Sequence, residues 1–243
     1  MISKRATLRA TRALSALLEH ARARVTRALT LYLAKPFEEL SMLTTVDRQA
    51  LAAVLRRGDV LLSAGNTRCA ELVKRLTRST WSHVSMYVGP LEDGPNPLCI
   101  VEADIKDGVR AIRLSDLDAR RISVLRPMRL DDTERARLAE SVLRHIGSEY
   151  DLAHAWLLAR SLFVRRWWAR LRSVPTTMGR SATRFICSSL IAQAFALIGH
   201  SIIPAGETVS DREARDKFLV PADFERASLF AIVWPVNVRD EQT

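Results

Sequence analysis

The spacing of apolar residues divides the chain into a helical N-terminus, a middle third of short strands and a helical C-terminal third. Near the N-terminus, apolar side chains recur every three or four residues and predict an amphipathic helix before Pro36. The residues of this stripe are Leu14, Leu18, Ala21, Val25, Leu29 and Tyr32. A short helix is predicted over 44–57, with Thr44 or Thr45 as its N-cap.

The middle third alternates β-rich runs with turn residues. Strands are predicted at 59–63, 82–88, 98–105, 109–114 and 122–125, and a helix passes through 72–76. After Pro127 the pattern predicts helices over 131–146, 150–172 and 187–198, followed by a final strand over 229–234. Because strands and helices form separate clusters, the pattern predicts an α+β fold in which an antiparallel sheet packs against helices.

Composition and charge indicate which kind of protein this is and which kind of partner it binds. The 243 residues are 48% hydrophobic and 26% charged, which is typical of a globular protein, and the net charge of +10 indicates an acidic partner. Cys69, Cys99 and Cys187 are far apart, which favours free thiols in a reducing compartment. No secretory signal is recognisable and no stretch has the roughly 20 apolar residues of a transmembrane helix. We therefore expect a cytoplasmic protein that lies on the inner face of the membrane.

The charge is unevenly distributed between two predicted regions, a helical extension over 1–50 and the main domain over 51–243. Up to Lys35 the extension carries eight Lys and Arg residues against a single acid, Glu19. A basic amphipathic helix of this kind can lie in a membrane interface. The same apolar stripe also suits a helix that packs on its own domain with its basic face in water. Both interpretations remain open.

The candidate chemistry centres on a cysteine, a histidine and a carboxylate. Cys187 stands immediately before an apolar helix, where unpaired backbone N–H groups favour a thiolate and can hold an oxyanion. His83 opens a predicted strand, and Glu102 lies in so apolar a strand that its charge requires a partner. A nucleophile, a base and an orienting carboxylate would account for all three.

Each of these residues also has a structural interpretation. Cys187 could be a small core residue, His83 a hydrogen-bonded structural histidine, and Glu102 a solvent-facing carboxylate whose place Asp104 takes. Ser188 and Ser189 are predicted to cap the helix, and Cys69 and Cys99 to be core residues. No metal motif and no glycine-rich phosphate loop occurs, so we expect neither a metal nor another cofactor.

Six motifs occur in the order found in one protein family. They are RRGDVLL at 56–62, WSHVSMYVG at 81–89, IVEA at 100–103 with GV at 108–109, YD at 150–151, FICSSL at 185–190 and VPADF at 220–224. In these motifs residues 56–235 resemble the YiiX/YebB-like (YaeF/YiiX) group of circularly permuted NlpC-type papain-like proteins, which are related to lecithin:retinol acyltransferase.

The resemblance implies a fold and a mechanism. The fold would be a permuted papain-like α+β domain, in which the histidine precedes the cysteine along the chain. Cys187 would be the nucleophile, His83 the general base and Glu102 the orienting residue, while Tyr150 would line the pocket or support the oxyanion. The chemistry of such relatives is hydrolysis or acyl transfer at an amide or ester carbonyl through a thioester.

A basic, tryptophan-containing segment lies just before Cys187 and is predicted to be helical over about 152–184. It contains no acidic residue, and its candidate contacts with a membrane or another anionic surface are Arg165, Arg166, Trp167, Trp168 and Arg170. Arginine and tryptophan together suit an interface where phosphates meet acyl chains. An ordinary helix with buried tryptophans is the alternative. A nucleic-acid groove is disfavoured because no recognised nucleic-acid module accompanies the segment.

These observations predict a membrane-peripheral cysteine hydrolase or acyltransferase that acts on a lipid or lipid-linked ester or amide. One alternative is a peptidase or amidase that acts on cell-wall-type peptides. The other is a catalytically silent module of the same fold that binds a membrane or a nucleic acid.

Overall fold

The structure, a computed structural model, describes residues 46–117, 121–150, 184–202 and 219–235, together with residues 24, 27, 28 and 30–36 of the N-terminal region. All structural statements below concern these residues. The helices are α1 (Arg48–Val54), α2 (Arg68–Thr77), α3 (Asp132–Leu143), α4 (Cys187–Leu197) and α5 (Pro221–Arg226). The strands are β1 (Val60–Ser63), β2 (His83–Tyr87), β3 (Leu98–Asp104), β4 (Gly108–Arg113), β5 (Ile122–Pro127), β6 (Glu149–Tyr150), β7 (Arg184–Phe185) and β8 (Phe230–Trp234).

A six-stranded antiparallel sheet forms the centre of the described fold, with the strand order β4-β3-β2-β1-β5-β8. Five of its strands, β1 to β5, follow one another between residues 60 and 127, where β-rich runs alternate with turns. A smaller sheet consists of β6 and β7, which pair in parallel. The predicted antiparallel sheet is therefore present, and its strands begin and end within two residues of the predicted positions.

Both faces of the large sheet are buried, as the alternation of side chains along its strands requires. On one face, Val84 and Val101 pack in a core that includes Leu138 of α3 and Phe195 of α4. On the other face, a smaller core includes Leu51 of α1. Helix α4 contributes apolar side chains to the larger core, so its N-terminus is held against the sheet.

Two predicted features are wrong. Helix α1 is capped by Asp47 and not by Thr44 or Thr45, because the Asp47 carboxylate accepts hydrogen bonds from the N–H groups of residues 49 and 50 at 3.0 and 3.1 Å. Tyr150 does not begin a helix; it lies in β6, where it pairs with Phe185 of β7. The remainder of the helix predicted over 150–172 lies outside the described residues.

The end of the N-terminal extension contacts the start of α2. Residues 30–33 are helical, and the Arg68 guanidinium lies 4.3 Å from the centre of the Tyr32 ring. The Arg68 N–H donates to the Lys35 carbonyl at 3.0 Å, and Pro36 forms a β-bridge with Thr67. The division into 1–50 and 51–243 stays a prediction, since most of the extension lies outside the described residues. The described helices include none that is long and apolar enough to cross a membrane.

A buried ion pair joins the turn before β1 to β5. Asp59 is fully buried, and its two carboxylate oxygens accept hydrogen bonds from Arg126 at 3.0 and 2.7 Å. The N–H group of Arg56 also donates to this carboxylate, at 2.8 Å. A buried carboxylate needs such partners because an unpaired charge in the interior is costly.

Candidate active site

Helix α4 places Cys187 at its first turn. The residue before it, Ile186, has extended backbone, and the hydroxyl of Ser189 accepts the Ile186 N–H at 3.1 Å. The predicted capping role of Ser189 is thus present in the structure, whereas Ser188 is buried. Leu190 and Phe195 are almost completely buried and anchor the helix in the larger core. Cys187 therefore stands where backbone N–H groups lack intrahelical partners.

Strands β2 and β3 bring His83 and Glu102 together. His83 is the first residue of β2, and its Nε2 lies 2.9 Å from Oε2 of Glu102. Asp104, the alternative carboxylate, instead accepts the backbone N–H groups of residues 106 and 107 at the β3–β4 turn. Of the two predicted candidates, Glu102 is therefore the residue that is hydrogen-bonded to the imidazole.

The His83 side chain also hydrogen-bonds to Cys187. Because Nε2 of His83 faces Glu102, the second ring nitrogen, Nδ1, is left for the cysteine. The structure thus joins the three predicted residues in the order Cys187–His83–Glu102, although they come from one helix and two strands.

The pKa values of Cys187 and His83 are shifted in opposite directions. Burial raises the pKa of the Cys187 thiol, but the charge of His83, the hydrogen bond from it and the N–H groups of Val84 and Ser188 together lower this pKa below its ordinary value. Burial lowers the pKa of His83, but the Cys187 and Glu102 anions and their hydrogen bonds raise it well above its ordinary value. This environment favours a thiolate–imidazolium pair.

Glu102 is the anionic partner of this pair. Burial raises its pKa, but hydrogen bonds and charges from His83 and then from Arg110 lower it to about 2. Arg110 donates from Nε and Nη2 to Oε1 of Glu102 at 3.0 and 2.9 Å. An anionic Glu102 stabilises the imidazolium form of His83.

The pKa values of the other two cysteines are raised, in contrast to that of Cys187. Burial is the largest cause of the raised pKa of Cys69, which reaches about 11, and the negative charges of Cys187 and Asp104 raise it further. Burial also raises the pKa of Cys99. Cys69 is partly exposed and Cys99 is buried, so only Cys99 fits the core position predicted for both.

Tyr150 lies next to the chain segment that enters α4. Its partner in the β6–β7 pairing is Phe185, two residues before Cys187, and its side chain packs in part against the larger core. Its role at the pocket or oxyanion remains a prediction. The predicted contacts Arg165, Arg166, Trp167, Trp168 and Arg170 lie outside the described residues.

Sequence reasoning missed Arg110. The signal that could have found it is the register of the predicted hairpin, because a turn around 105–107 pairs residue 102 with residue 110. A cationic side chain opposite a buried carboxylate on an adjacent strand is the expected partner of that charge.

Comparisons with known proteins concern the family and the fold. The family model described as permuted papain-like amidase enzyme, YaeF/YiiX, C92 family, matches residues 54–163, which include His83, Glu102 and Tyr150 and end before Cys187. No curated protein matches the chain. Among solved structures, the chain is similar to yiiX from Escherichia coli O157:H7 with a TM-score of 0.51 and 16% identity. The similarity covers 73% of this chain and 96% of that chain.

The yiiX structure is described as that of a metalloprotein (DUF1105). Within the described part of the present chain, no three His, Cys, Asp or Glu side chains are grouped as a metal site requires. The likeness to yiiX concerns the fold, and it confirms the predicted α+β permuted papain-like class. Taken with the family match over the histidine and glutamate strands, it supports the assignment of the chain to the YaeF/YiiX family of permuted papain-like amidases.

Proposed function

We propose that the protein cleaves an amide bond with Cys187 as the nucleophile, His83 as the general base and acid, and Glu102 as the residue that orients the imidazole. The match to an amidase family model supports a papain-like hydrolase. The observation that carries the residue roles is the hydrogen-bonded series Cys187–His83–Glu102, in which the pKa of the thiol is lowered and that of the imidazole raised.

The proposed reaction has two steps. The Cys187 thiolate attacks the carbonyl carbon, the C–N bond breaks, and the His83 imidazolium gives its proton to the leaving amine, which leaves a thioester. His83 then takes a proton from water, the hydroxide attacks the thioester, and the acid departs as Cys187 returns to the thiolate. Free N–H groups at the start of α4 are the candidate donors to the oxyanion, with Tyr150 as a further candidate.

For the substrate we propose a lipid or lipid-linked amide or ester at an anionic membrane surface on the cytoplasmic side. The net charge of +10 and the basic, tryptophan-containing segment 152–184, which leads into Cys187, support this choice. With an alcohol or amine in place of water, the same thioester would yield acyl transfer. The family itself favours an amide, so a peptide amide of the cell-wall type is the second candidate substrate.

The residue roles are tested by alkylation of the three cysteines with iodoacetamide as a function of pH, measured by mass spectrometry. In the wild type we expect Cys187 to react fast at about pH 6, while Cys69 and Cys99 stay protonated and serve as internal controls. His83→Ala should remove this advantage because burial then dominates the pKa of the thiol. If Cys187 reacts no faster than Cys69, or equally fast without His83, the proposed mechanism is wrong.

The substrate is tested with N-acyl amides and fatty-acid esters in vesicles, compared with short peptide amides in solution. We expect hydrolysis of the vesicle substrates to be faster with anionic than with zwitterionic lipid, and to be lost in Cys187→Ala. Replacing Arg165, Arg166 and Arg170 by Gln should lower the rate on anionic vesicles and leave alkylation of Cys187 unchanged. Cleavage confined to the soluble peptides would refute the lipid substrate and favour the peptide amide.

A further inference from the structure

Arg110 contacts the side of Glu102 that His83 leaves free. Glu102 and Arg110 are paired across β3 and β4, and two N–H groups of the guanidinium donate to the same carboxylate oxygen, Oε1. The other oxygen, Oε2, faces His83 at 2.9 Å. A carboxylate held on one oxygen by two donors has little freedom to rotate, so its second oxygen keeps a fixed direction.

The outer side of Arg110 is held as well. Its Nη1 hydrogen-bonds to the carboxylate of Asp107, and its Nη2 lies 3.6 Å from Oδ2 of Asp104. The charged groups around Glu102 are therefore Arg110 from β4, His83 from β2 with Cys187 behind it on α4, and Asp104 on its own strand. The Glu102 side chain is 9% exposed and that of Arg110 is 40% exposed. The carboxylate therefore faces the site, and the guanidinium reaches solvent.

We propose that Arg110 is a positioning residue, which fixes Oε2 of Glu102 on His83 and keeps the carboxylate anionic while the Cys187–His83 pair works. The proposal rests on the proposed function. It extends the series by one residue, so that the imidazole is oriented by an ion pair and not by a lone carboxylate. A similar outer partner commonly orients the ligands of metal sites.

A purely structural role in the β3–β4 hairpin is the competing explanation, and the chain offers a matched control for it. Arg113 lies on the same strand with a side chain that is 37% exposed, and its Nη1 donates to Glu92 at 2.7 Å and to the Asn96 carbonyl at 2.9 Å. These contacts tie the end of β4 to the loop between β2 and β3, and they involve none of the three site residues. Arg113→Met therefore reports the loss of an arginine ion pair on β4 that is separate from the site.

The test compares the wild type with Arg110→Met, Arg110→Lys, Arg113→Met and His83→Ala. The alkylation rate of Cys187 is measured from pH 4 to 9, and urea unfolding shows that each variant is folded. We expect Arg110→Met to react about tenfold more slowly near neutral pH, the lower end of the loss seen when an outer partner is removed at metal sites. The fall of the alkylation rate on the acid side of the pH profile should also begin at a higher pH, because Glu102 without its cation is protonated more readily. Arg113→Met should match the wild type.

Arg110→Lys keeps the charge but not the two-point contact. We expect Arg110→Lys to lose rate on the acid side at the same pH as the wild type, but to reach only part of the wild-type rate. If Arg110→Met does not fold, this partial loss of rate in Arg110→Lys still tests the proposal. Equal profiles for wild type, Arg110→Met and Arg110→Lys would overturn the proposal. A wild-type rate that does not depend on His83 would instead refute the proposed function, so the two failures are distinguishable.

Discussion

Replacing Gly108 by alanine tests a close backbone contact on which the site depends. Gly108 begins β4 with φ of +72°, in the left-handed region, and a Cβ built on it would overlap the carbonyl oxygen of Ser148 and lie 3.3 Å from the carbonyl carbon. The same carbonyl accepts the Val109 N–H at 2.9 Å, and the Gly147 N–H donates to the Val109 carbonyl at 2.8 Å. A methyl group at 108 must therefore push the start of β4 away from residues 147 and 148.

The size of the effect follows from two contributions. An L-residue in the left-handed region costs about 1–2 kcal/mol. Displacing Ser148 weakens the two backbone hydrogen bonds, each of which contributes about 1 kcal/mol. We therefore expect Gly108→Ala to lower the free energy of unfolding by about 3–4 kcal/mol.

Gly147→Ala is the matched control. Gly147 has φ of +87°, but nothing lies within 4 Å of a Cβ built there, so only the conformational cost of about 1–2 kcal/mol applies. Urea unfolding of both variants, with equal m-values, gives the difference of about 2 kcal/mol that belongs to the contact. Equal destabilisation of the two variants would refute the argument that the Gly108–Ser148 approach is what demands glycine.

The remaining predictions concern two buried carboxylates. Asp59→Asn should lower the free energy of unfolding by about 3 kcal/mol, measured in urea, because Arg126 is left without its anionic partner. Glu102→Gln should change the pH dependence of stability. The pKa of Glu102 falls from an ordinary 4.5 to about 2 on folding, so its contribution is complete above about pH 4.5 and is lost as the pH falls toward 2. The stability difference between the wild type and Glu102→Gln should shrink over that window.

The Asp59 variant has a matched control, and the Glu102 prediction has an outcome that would contradict it. Glu140 forms an exposed ion pair with Arg144 on α3, and Glu140→Gln should leave the urea midpoint unchanged. A midpoint for Asp59→Asn as high as that of Glu140→Gln would contradict the importance of the buried pair. For Glu102, a stability difference that stays constant between pH 5 and pH 2.5 would show that the carboxylate gains nothing from its partners.

Much of the sheet could be predicted because its strands follow one another with turns between them. The β3–β4 turn is an example, since Lys106, Asp107 and Gly108 separate two apolar runs, and the structure pairs the strands around them. The start of α4 was equally clear, because an apolar run follows Cys187 directly. In such cases the residues that form an element also mark its ends.

The misses have a different physical origin. Strand β6 forms only because Tyr150 and its neighbour pair with residues 184 and 185, and no local pattern reports so distant a contact. Three residues suited to capping α1, Thr44, Thr45 and Asp47, lie within four positions. In the structure Asp47 accepts hydrogen bonds from the first free N–H groups. Local sequence alone does not rank such competitors.

The site combines three residues on adjacent strands with one residue that is distant in the sequence. His83, Glu102 and Arg110 lie on the adjacent strands β2, β3 and β4, and the hydrogen bonds between them arise within one stretch of sheet. The burial of a charged Glu102 in an apolar strand was enough to predict that it needs a partner. Cys187 arrives from far along the chain, and it meets His83 because α4 packs in the core that the sheet shares.

The pairing of β6 with β7 fixes the residues on either side of segment 151–183 beside the site. Residues 149 and 150 pair with 184 and 185, so both ends of the segment 151–183 are held side by side, and the second end leads within two residues to Cys187. The Gly108–Ser148 contact ties the first end to β4, the strand that carries Arg110. The residues that flank 151–183 are therefore held by contacts with each other and with the sheet that carries His83, Glu102 and Arg110. The basic, tryptophan-containing sequence of 152–184 leads directly into Cys187, which is why we propose it as the part of the enzyme that contacts an anionic lipid surface.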